Sequence, residues 1–141
     1  MSLSELYQEL IVDHGRKPRN KGTVEDATHH ADGYNPLCGD TVNLTLQVED
    51  GIITDVKFEG HGCAISQASA SLLTEEVRGK SVQEVAEIFK KFRTAMTTDE
   101  VADDLGSLEA LVPVKEYPMR VKCATLSWHT LMQALGVSKD A

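Results

Sequence analysis

Residues 41–58, TVNLTLQVEDGIITDVKF, indicate the fold class because apolar residues alternate with polar ones on both sides of a turn signal. Alternation of this kind is typical of a strand with one buried face. The first strand is predicted to bury Val42, Leu44, Leu46 and Val48. The return strand is predicted to place on one face Ile52, Thr54, Val56 and Phe58. Asp50 and Gly51 between them suit a tight turn with positive φ, so the stretch predicts an antiparallel hairpin.

The segments before the hairpin predict a helix and an edge strand. Apolar residues repeat at helical spacing in residues 3–11, and Ser2 with Glu5 fits a capping box at the start of this helix. The stretch 15–22, GRKPRNKG, is predicted to end the helix as an exposed connector, because it contains proline, glycine and basic residues. Residues 26–34 are predicted to add an edge strand, which makes the sheet three-stranded and antiparallel.

The part of the chain after the hairpin predicts helices. The first of them ends at Gly79, and the second is capped by Ser81 and Glu84. Residues 94–104 are acidic and polar and predict a surface excursion. A last helix opens with Pro118, which is favourable in a first helical turn. This order, a helix, a small antiparallel sheet and then a helical half, predicts an α+β fold with the sheet packed against several helices.

Composition bounds the function. The chain is predicted to form a single domain over residues 1–141, and its 41% hydrophobic and 26% charged residues are ordinary for a globular protein. A net charge of −8 argues against a nucleic-acid partner. No run approaches the roughly 18 apolar residues of a membrane span, and the N-terminus lacks the pattern of a signal peptide. We therefore expect a cytoplasmic protein that acts without a membrane.

Cysteines are few and placed at the ends of predicted elements. In the cytoplasm three cysteines are better interpreted as ligands or nucleophiles than as a disulfide framework. Cys38 enters the hairpin and Cys63 leaves it, so both should lie at the same edge of the sheet. Asp40 points to the same side as Cys38 in an extended segment, and Cys123 begins the last helix. Three sulfurs and one oxygen would fill a zinc tetrahedron, and iron–sulfur chemistry is the alternative that such soft ligands allow.

Other interpretations of single residues stay open. Cys123 beside Ala124 could be a small buried apolar side chain. His61 and His129 are conceivable ligands of second choice. The remaining histidines lie among polar residues and are predicted to be solvated or structurally bonded: His14, His29 and His30. Trp128 is predicted to belong to the core. The neighbouring glycines, expected to let the backbone bend closely around a bound group, are Gly39, Gly60 and Gly62.

Three motifs in order, NPLCGD (35–40), GHGCAISQASAS (60–71) and RVKCATLSWHTL (120–131), resemble those of the SufU branch of the IscU-like iron–sulfur assembly family. The resemblance extends over nearly the whole chain. It implies an IscU-like (IscU/SufE-like) α+β fold and a role beside a SufS-type PLP-dependent cysteine desulfurase and downstream iron–sulfur assembly proteins. The zinc ligands that it implies are Cys38, Asp40, Cys63 and Cys123. It further implies that Cys38 accepts persulfide sulfur from the desulfurase.

Two features distinguish sulfur transfer from scaffolding within that resemblance. The IscU scaffold branch has a histidine just before its last cysteine and a shorter segment leading to it, whereas this chain has Lys122 and an acidic segment around residues 97–106 that matches a SufU-type insertion. Arg120 matches a basic position of the SufU pattern near the metal, with a plain surface role as its alternative. A zinc-dependent sulfurtransferase is thus favoured, with a scaffold for an iron–sulfur cluster, or a purely structural zinc module, as alternatives.

Overall fold

The computed structural model describes residues 3–36, 38–98 and 105–136, with the side chains of the first helix described from residue 8. The elements in chain order are α1 (Leu3–Arg16), β1 (His29–Asn35), β2 (Asp40–Glu49), β3 (Ile52–His61), α2 (Ala64–Val77), α3 (Val82–Thr97), a 3-10 helix (Gly106–Glu116) and α4 (Pro118–Leu135). The strands form an antiparallel sheet in the order β1-β2-β3. The predicted α+β class is confirmed.

The hairpin forms where the alternation predicts it. Asp50 and Gly51 have φ values of 52° and 78°, as the tight turn requires. The first strand buries three of its four predicted residues, and the fourth, Val48, is half-buried: the buried residues are Val42, Leu44 and Leu46. One face of the sheet therefore supplies part of the core.

A β-bulge near the turn corrects the prediction for the return strand. The pairing of β2 with β3 shifts register there, so that Thr54 becomes an extra, exposed residue. Ile53 is fully buried in place of Ile52, whereas Val56 and Phe58 are buried as predicted. The single face predicted through all four positions is wrong in its first half, because one added residue inverts the alternation.

Helices α2 and α4 pack together and against the sheet, α4 mainly on β1 and α2 on β3. Trp128 of α4 is fully buried, as predicted for a core residue. Gly33 of β1 allows the closest approach of the helix, because a Cβ atom there would overlap Thr130 Oγ1 of α4. This contact holds the second half of α4 against β1, and Cys123, nearer the start of α4, meets Asn35 at the end of the strand.

The connector after α1 is more structured than predicted. Its backbone pairs with the outer edge of β3: Phe58 N–H donates to the Asn20 carbonyl at 3.1 Å, and Gly22 N–H donates to the Phe58 carbonyl at 2.8 Å. Sheet edges with open hydrogen-bonding groups are commonly covered in this way. The connector therefore closes one side of the sheet instead of projecting into solvent.

The remaining helices differ from prediction at one boundary. The capping box of Ser81 and Glu84 is present, and Gly79 follows α2 with a φ of 84°. The surface excursion predicted from residue 94 is wrong for residues 94–97, because α3 continues to Thr97. The rest of that prediction, residues 99–104, and the predicted cap Ser2 lie outside the described part of the chain. The 3-10 helix was not predicted. Within the described ranges, no helix combines the length and apolarity that crossing a bilayer needs.

Candidate metal centre

The residues predicted as ligands meet at one edge of the sheet, where β2 begins and β3 ends. Asp40 is the first residue of β2, and Cys38 lies in the loop before it. Cys63 precedes α2 directly, two residues after the end of β3, and Cys123 lies in the second turn of α4. The hairpin thus brings Cys38 and Cys63 to the same edge, as the geometry of paired strands requires.

Three of the four predicted ligands form a close group. The ligand atoms of Cys38, Asp40 and Cys123 all lie within 4.8 Å of one another. The two sulfurs, Cys123 Sγ and Cys38 Sγ, are 3.2 Å apart, and all three cysteines of the chain are free thiols. Asp40 is 0% exposed and Cys123 1% exposed, whereas Cys38 is half-buried.

Cys63 lies next to this group but is not one of the residues whose ligand atoms are all within 4.8 Å of one another. Its backbone N–H donates to Asp40 Oδ1 at 2.9 Å, and its thiol is among the neighbours that raise the pKa of Cys123. The Cys63 side chain is half-buried at the N-terminus of α2. The third sulfur is therefore next to the group.

Two glycines let the backbone pack closely around Asp40 and Thr41. A Cβ atom at Gly62 would overlap the Asp40 carboxylate, and one at Gly60 would overlap the backbone of Thr41. Gly39, between Cys38 and Asp40, has a φ of 70°, a left-handed conformation that glycine adopts readily. Side chains at Gly60 or Gly62 would displace the carboxylate or the start of β2.

Burial raises the pKa of the Cys123 thiol well above its usual range. Hydrogen bonds with Asp40, Cys38 and Cys63 raise this pKa further. A raised pKa means that the buried thiolate is unfavourable without a positive charge nearby. A bound cation would supply that charge, because thiols that coordinate a metal are deprotonated. The close group offers two sulfurs and one carboxylate oxygen, and a third sulfur is adjacent. This set of donors fits a thiophilic divalent cation.

Arg120 supplies a positive charge at the exposed side of the site. Its Nη1 lies 3.8 Å from Cys38 Sγ, and the side chain itself is exposed. A hydrogen bond with Cys123, together with the charges of Cys63 and Cys38, raises the pKa of the guanidinium. Arg120 was expected either near the metal or as a plain surface residue, and its contact with Cys38 supports the position near the site.

The histidines do not join the close group. His61, at the end of β3, is exposed and donates its backbone N–H to Thr41 Oγ1 at 3.1 Å. His129 packs edge-on against Phe89, with ring centroids 5.2 Å apart. His14 is structurally bonded, as predicted, but it is buried instead of lying among solvated polar groups.

Asn35 is a site residue that the sequence reasoning missed. It is 4% exposed, and its Nδ2 lies 3.3 Å from Asp40 Oδ2 and 3.7 Å from Cys123 Sγ. The available signal was its position in NPLCGD, where a short loop between two paired strands places Asn35 opposite Asp40. That signal becomes visible only once the strand register is known.

A small antiparallel sheet under two helices, with cysteines and a carboxylate gathered at one edge, defines an α+β protein with a candidate metal centre. Residues 6–124 match the NifU-like N terminal domain family. The chain therefore belongs to this family, which confirms the resemblance found in its three motifs.

Similar proteins cover almost the whole chain. It is 44% identical over 141 residues to the zinc-dependent sulfurtransferase SufU of Bacillus subtilis, covering 99% of this chain and 94% of that protein. It is 41% identical over 137 residues to the iron–sulfur cluster assembly scaffold protein IscU of Thermotoga maritima, covering 96% of each. A crystal structure from Fervidobacterium islandicum, of a protein proposed as an iron–sulfur cluster assembly scaffold for the SUF system, superposes with a TM-score of 0.87 at 41% identity, covering 95% of this chain and 99% of that chain.

Proposed function

We propose that the chain is a zinc-dependent sulfurtransferase that accepts persulfide sulfur on Cys38 from a SufS-type cysteine desulfurase and serves iron–sulfur cluster assembly. Zinc would be held by Cys38, Asp40, Cys63 and Cys123. Support comes from the close group of ligand atoms and from the Bacillus subtilis relative, which is named as a zinc-dependent sulfurtransferase. When bound, zinc keeps coordinating thiols deprotonated at neutral pH.

The observation that carries the choice of Cys38 is its position. Within the close group it alone is partly exposed, since Asp40 and Cys123 are buried, and it lies on a loop instead of a helix. The guanidinium of Arg120, 3.8 Å from its sulfur, can pair with an anionic sulfur during transfer. A sulfur donor that approaches from solvent therefore reaches Cys38 before Cys123.

The proposed transfer has the chemistry of a thiol–disulfide exchange. The Cys38 thiolate attacks the outer sulfur of the persulfide on the desulfurase, and a new sulfur–sulfur bond forms while the old one breaks. The electron pair of the broken bond stays on the desulfurase cysteine, which leaves as a thiolate. Sulfur moves from one cysteine to the other without an external oxidant or reductant.

A scaffold for an iron–sulfur cluster is the second candidate, because the Thermotoga maritima relative is named as one and the same ligands would serve. The composition of the purified protein distinguishes the two. A colourless protein that contains zinc supports sulfur transfer, and a brown protein with acid-labile sulfide supports scaffolding. Lys122, where the resemblance places histidine in the scaffold branch, favours transfer.

The test of the transfer function is to incubate the protein with its desulfurase and cysteine and to locate the persulfide by mass spectrometry. We expect the first added sulfur on Cys38, and we expect Cys38→Ser to abolish both the modification and the stimulation of the desulfurase. Sulfur that appears first on Cys63 or Cys123 would overturn the role of Cys38. Full desulfurase turnover with Cys38→Ser would point to a purely structural zinc module.

A further inference from the structure

We propose that Asn35 is a positioning residue of the metal centre, whose side-chain amide fixes the Asp40 carboxylate and the Cys123 thiol relative to each other. This inference rests on the proposed metal centre. It assigns to Asn35 a role in metal affinity and ligand geometry that is separate from its contribution to the fold.

The strand register places Asn35 at the base of the loop that carries Cys38. Asn35 is the last residue of β1 and pairs directly with Asp40, the first residue of β2. Side chains at such paired positions lie on the same face of a sheet, about 4.5–5.5 Å apart at Cβ. The pair therefore closes the loop on the side that faces α4, because α4 packs on β1.

The amide connects two elements. An asparagine Nδ2 carries two hydrogens, and here it reaches Asp40 Oδ2 on β2 at 3.3 Å and Cys123 Sγ on α4 at 3.7 Å. Asn35 is 4% exposed, so water has little access to replace these bonds. The side chain of Asn35 thus links a carboxylate from the sheet to a sulfur from the helix.

Asp40 is held through both of its oxygens. Oδ1 accepts from the Cys63 backbone N–H at 2.9 Å, and Oδ2 accepts from Asn35. A carboxylate bonded at both oxygens has lost most of its freedom to rotate before a metal binds. Residues that orient metal ligands in this way are worth about 10–100-fold in metal affinity.

The test compares metal binding by the full-length wild-type protein with variants at Asn35. Asn35→Ala removes the side chain, and Asn35→Leu fills a similar space without donors. Asn43→Ala is the matched control, because Asn43 lies on β2 and donates to Asp32 Oδ1 at 2.6 Å on the exposed face. Zinc affinity is measured by competition with a chelator, and ligand geometry by the absorption spectrum of the cobalt(II)-substituted proteins.

We expect both Asn35 variants to bind zinc about 10–100-fold more weakly than the wild type and to have altered cobalt spectra, with Asn43→Ala unchanged in both. Asn35→Ser keeps one donor, so its zinc affinity should lie between that of the wild type and that of the other two Asn35 variants. It is the informative variant if those two do not fold. Folded Asn35 variants could instead bind zinc within about twofold of the wild type and show the same cobalt spectrum. That result would overturn the role of Asn35 and leave the metal centre standing. A folded wild-type protein that binds neither ion would overturn the metal centre and this inference together.

Discussion

At the scale of single residues, the centre depends on the way Asp40 is accommodated. A fully buried carboxylate is costly unless it is hydrogen-bonded, and here a backbone N–H from Cys63 and an amide from Asn35 compensate it. Cys123 is buried beside it, with its Sγ 3.2 Å from Cys38 Sγ, so a carboxylate and two thiols lie close together at one edge of the sheet. Burial and donor chemistry together indicate a site built for a metal.

Replacing Asp40 tests this directly. We expect Asp40→Ala to lower zinc affinity by about tenfold or more, since removing a ligand should cost at least as much as removing a residue that orients one. The stimulation of the desulfurase by Asp40→Ala should fall together with its zinc affinity. The measurements are zinc content after chelator challenge and desulfurase turnover, with Asp32→Ala, an exposed acid of β1, as the control. Metal content and stimulation that both stay unchanged in Asp40→Ala would contradict the role of the carboxylate.

Arg120 should affect transfer more than metal binding. Its side chain is exposed and faces Cys38 Sγ at 3.8 Å, so it can stabilise a sulfur anion without being a ligand. We expect Arg120→Ala to keep its zinc and to slow sulfur acceptance by about tenfold, less than the 10²–10³ typical of a buried donor at a reacting centre.

The matched control for Arg120 is Lys122→Ala, because Lys122 is also exposed and basic and lies two residues further along α4. Single-turnover persulfide transfer is the measurement. Equal rates for the two variants would show that only the overall positive charge matters.

At the scale of elements, a polar cluster around the buried His14 links α1 to α2. His14 is 3% exposed, with Nδ1 2.7 Å from Ser71 Oγ and Nε2 3.3 Å from Glu75 Oε1. The Arg19 backbone N–H also donates to Ser71 Oγ at 2.8 Å, which ties the connector to the same point. The imidazole of His14 therefore contributes to the docking of α1, beside the apolar packing of Leu10 and Ile11.

This cluster predicts a pH dependence of stability. Burial lowers the pKa of His14 below its usual value near 6.5; Arg19 lowers it further, and Glu75 and Asp13 oppose the shift. Because the unfolded chain then binds the proton more readily, the contribution of His14 is complete above about pH 6.5 and is lost as the pH falls below it. Midpoints of thermal unfolding measured between pH 7.5 and 5.5 should drop more steeply for the wild type than for His14→Gln, by on the order of a few °C.

His30→Gln, at an exposed position of β1, is the control for general histidine titration and should behave like the wild type. Parallel curves for the wild type and His14→Gln would contradict the role of the cluster.

Elements with a strong periodic pattern were predictable, and the exceptions have physical causes. The hairpin follows from alternation, and the convergence of Cys38 and Cys63 follows from the hairpin alone. The bulge at Thr54 adds a single residue to the strand, which leaves no mark in a pattern of apolar side chains. The 3-10 helix carries Pro113, which is typical of an interrupted helix or a loop.

Contacts between distant segments were the part that the sequence could not supply. The role of Asn35 depends on strand register and on the placement of α4, and the burial of His14 depends on the packing of α1 against α2. Polar residues at such positions look like surface residues in the sequence. The sequence grouped Cys38, Asp40, Cys63 and Cys123 because thiols and a carboxylate together indicate metal chemistry. The structure brings the ligand atoms of Cys38, Asp40 and Cys123 within 4.8 Å of one another, with the Cys63 backbone N–H bonded to Asp40.

At the scale of the whole molecule, the centre joins segments that are far apart in the chain. The ligands proposed for it come from the loop before β2, the start of β2, the residue before α2 and the second turn of α4, so a cation bound by all four would cross-link the sheet to two helices. We expect removal of zinc to lower the free energy of unfolding by about 4 kcal/mol when the comparison is made at free zinc 1,000-fold above the dissociation constant. Thermal unfolding with and without a chelator measures this, and unchanged midpoints would contradict a centre that spans these elements.

The most direct measurement is X-ray absorption at the zinc edge of the purified, zinc-loaded protein, which counts sulfur and oxygen neighbours of the metal. We predict three sulfurs and one oxygen, with one sulfur lost in Cys63→Ser and another in Cys123→Ser. A wild-type spectrum with two sulfurs or fewer, or one that Cys63→Ser leaves unchanged, would contradict a centre made of Cys38, Asp40, Cys63 and Cys123.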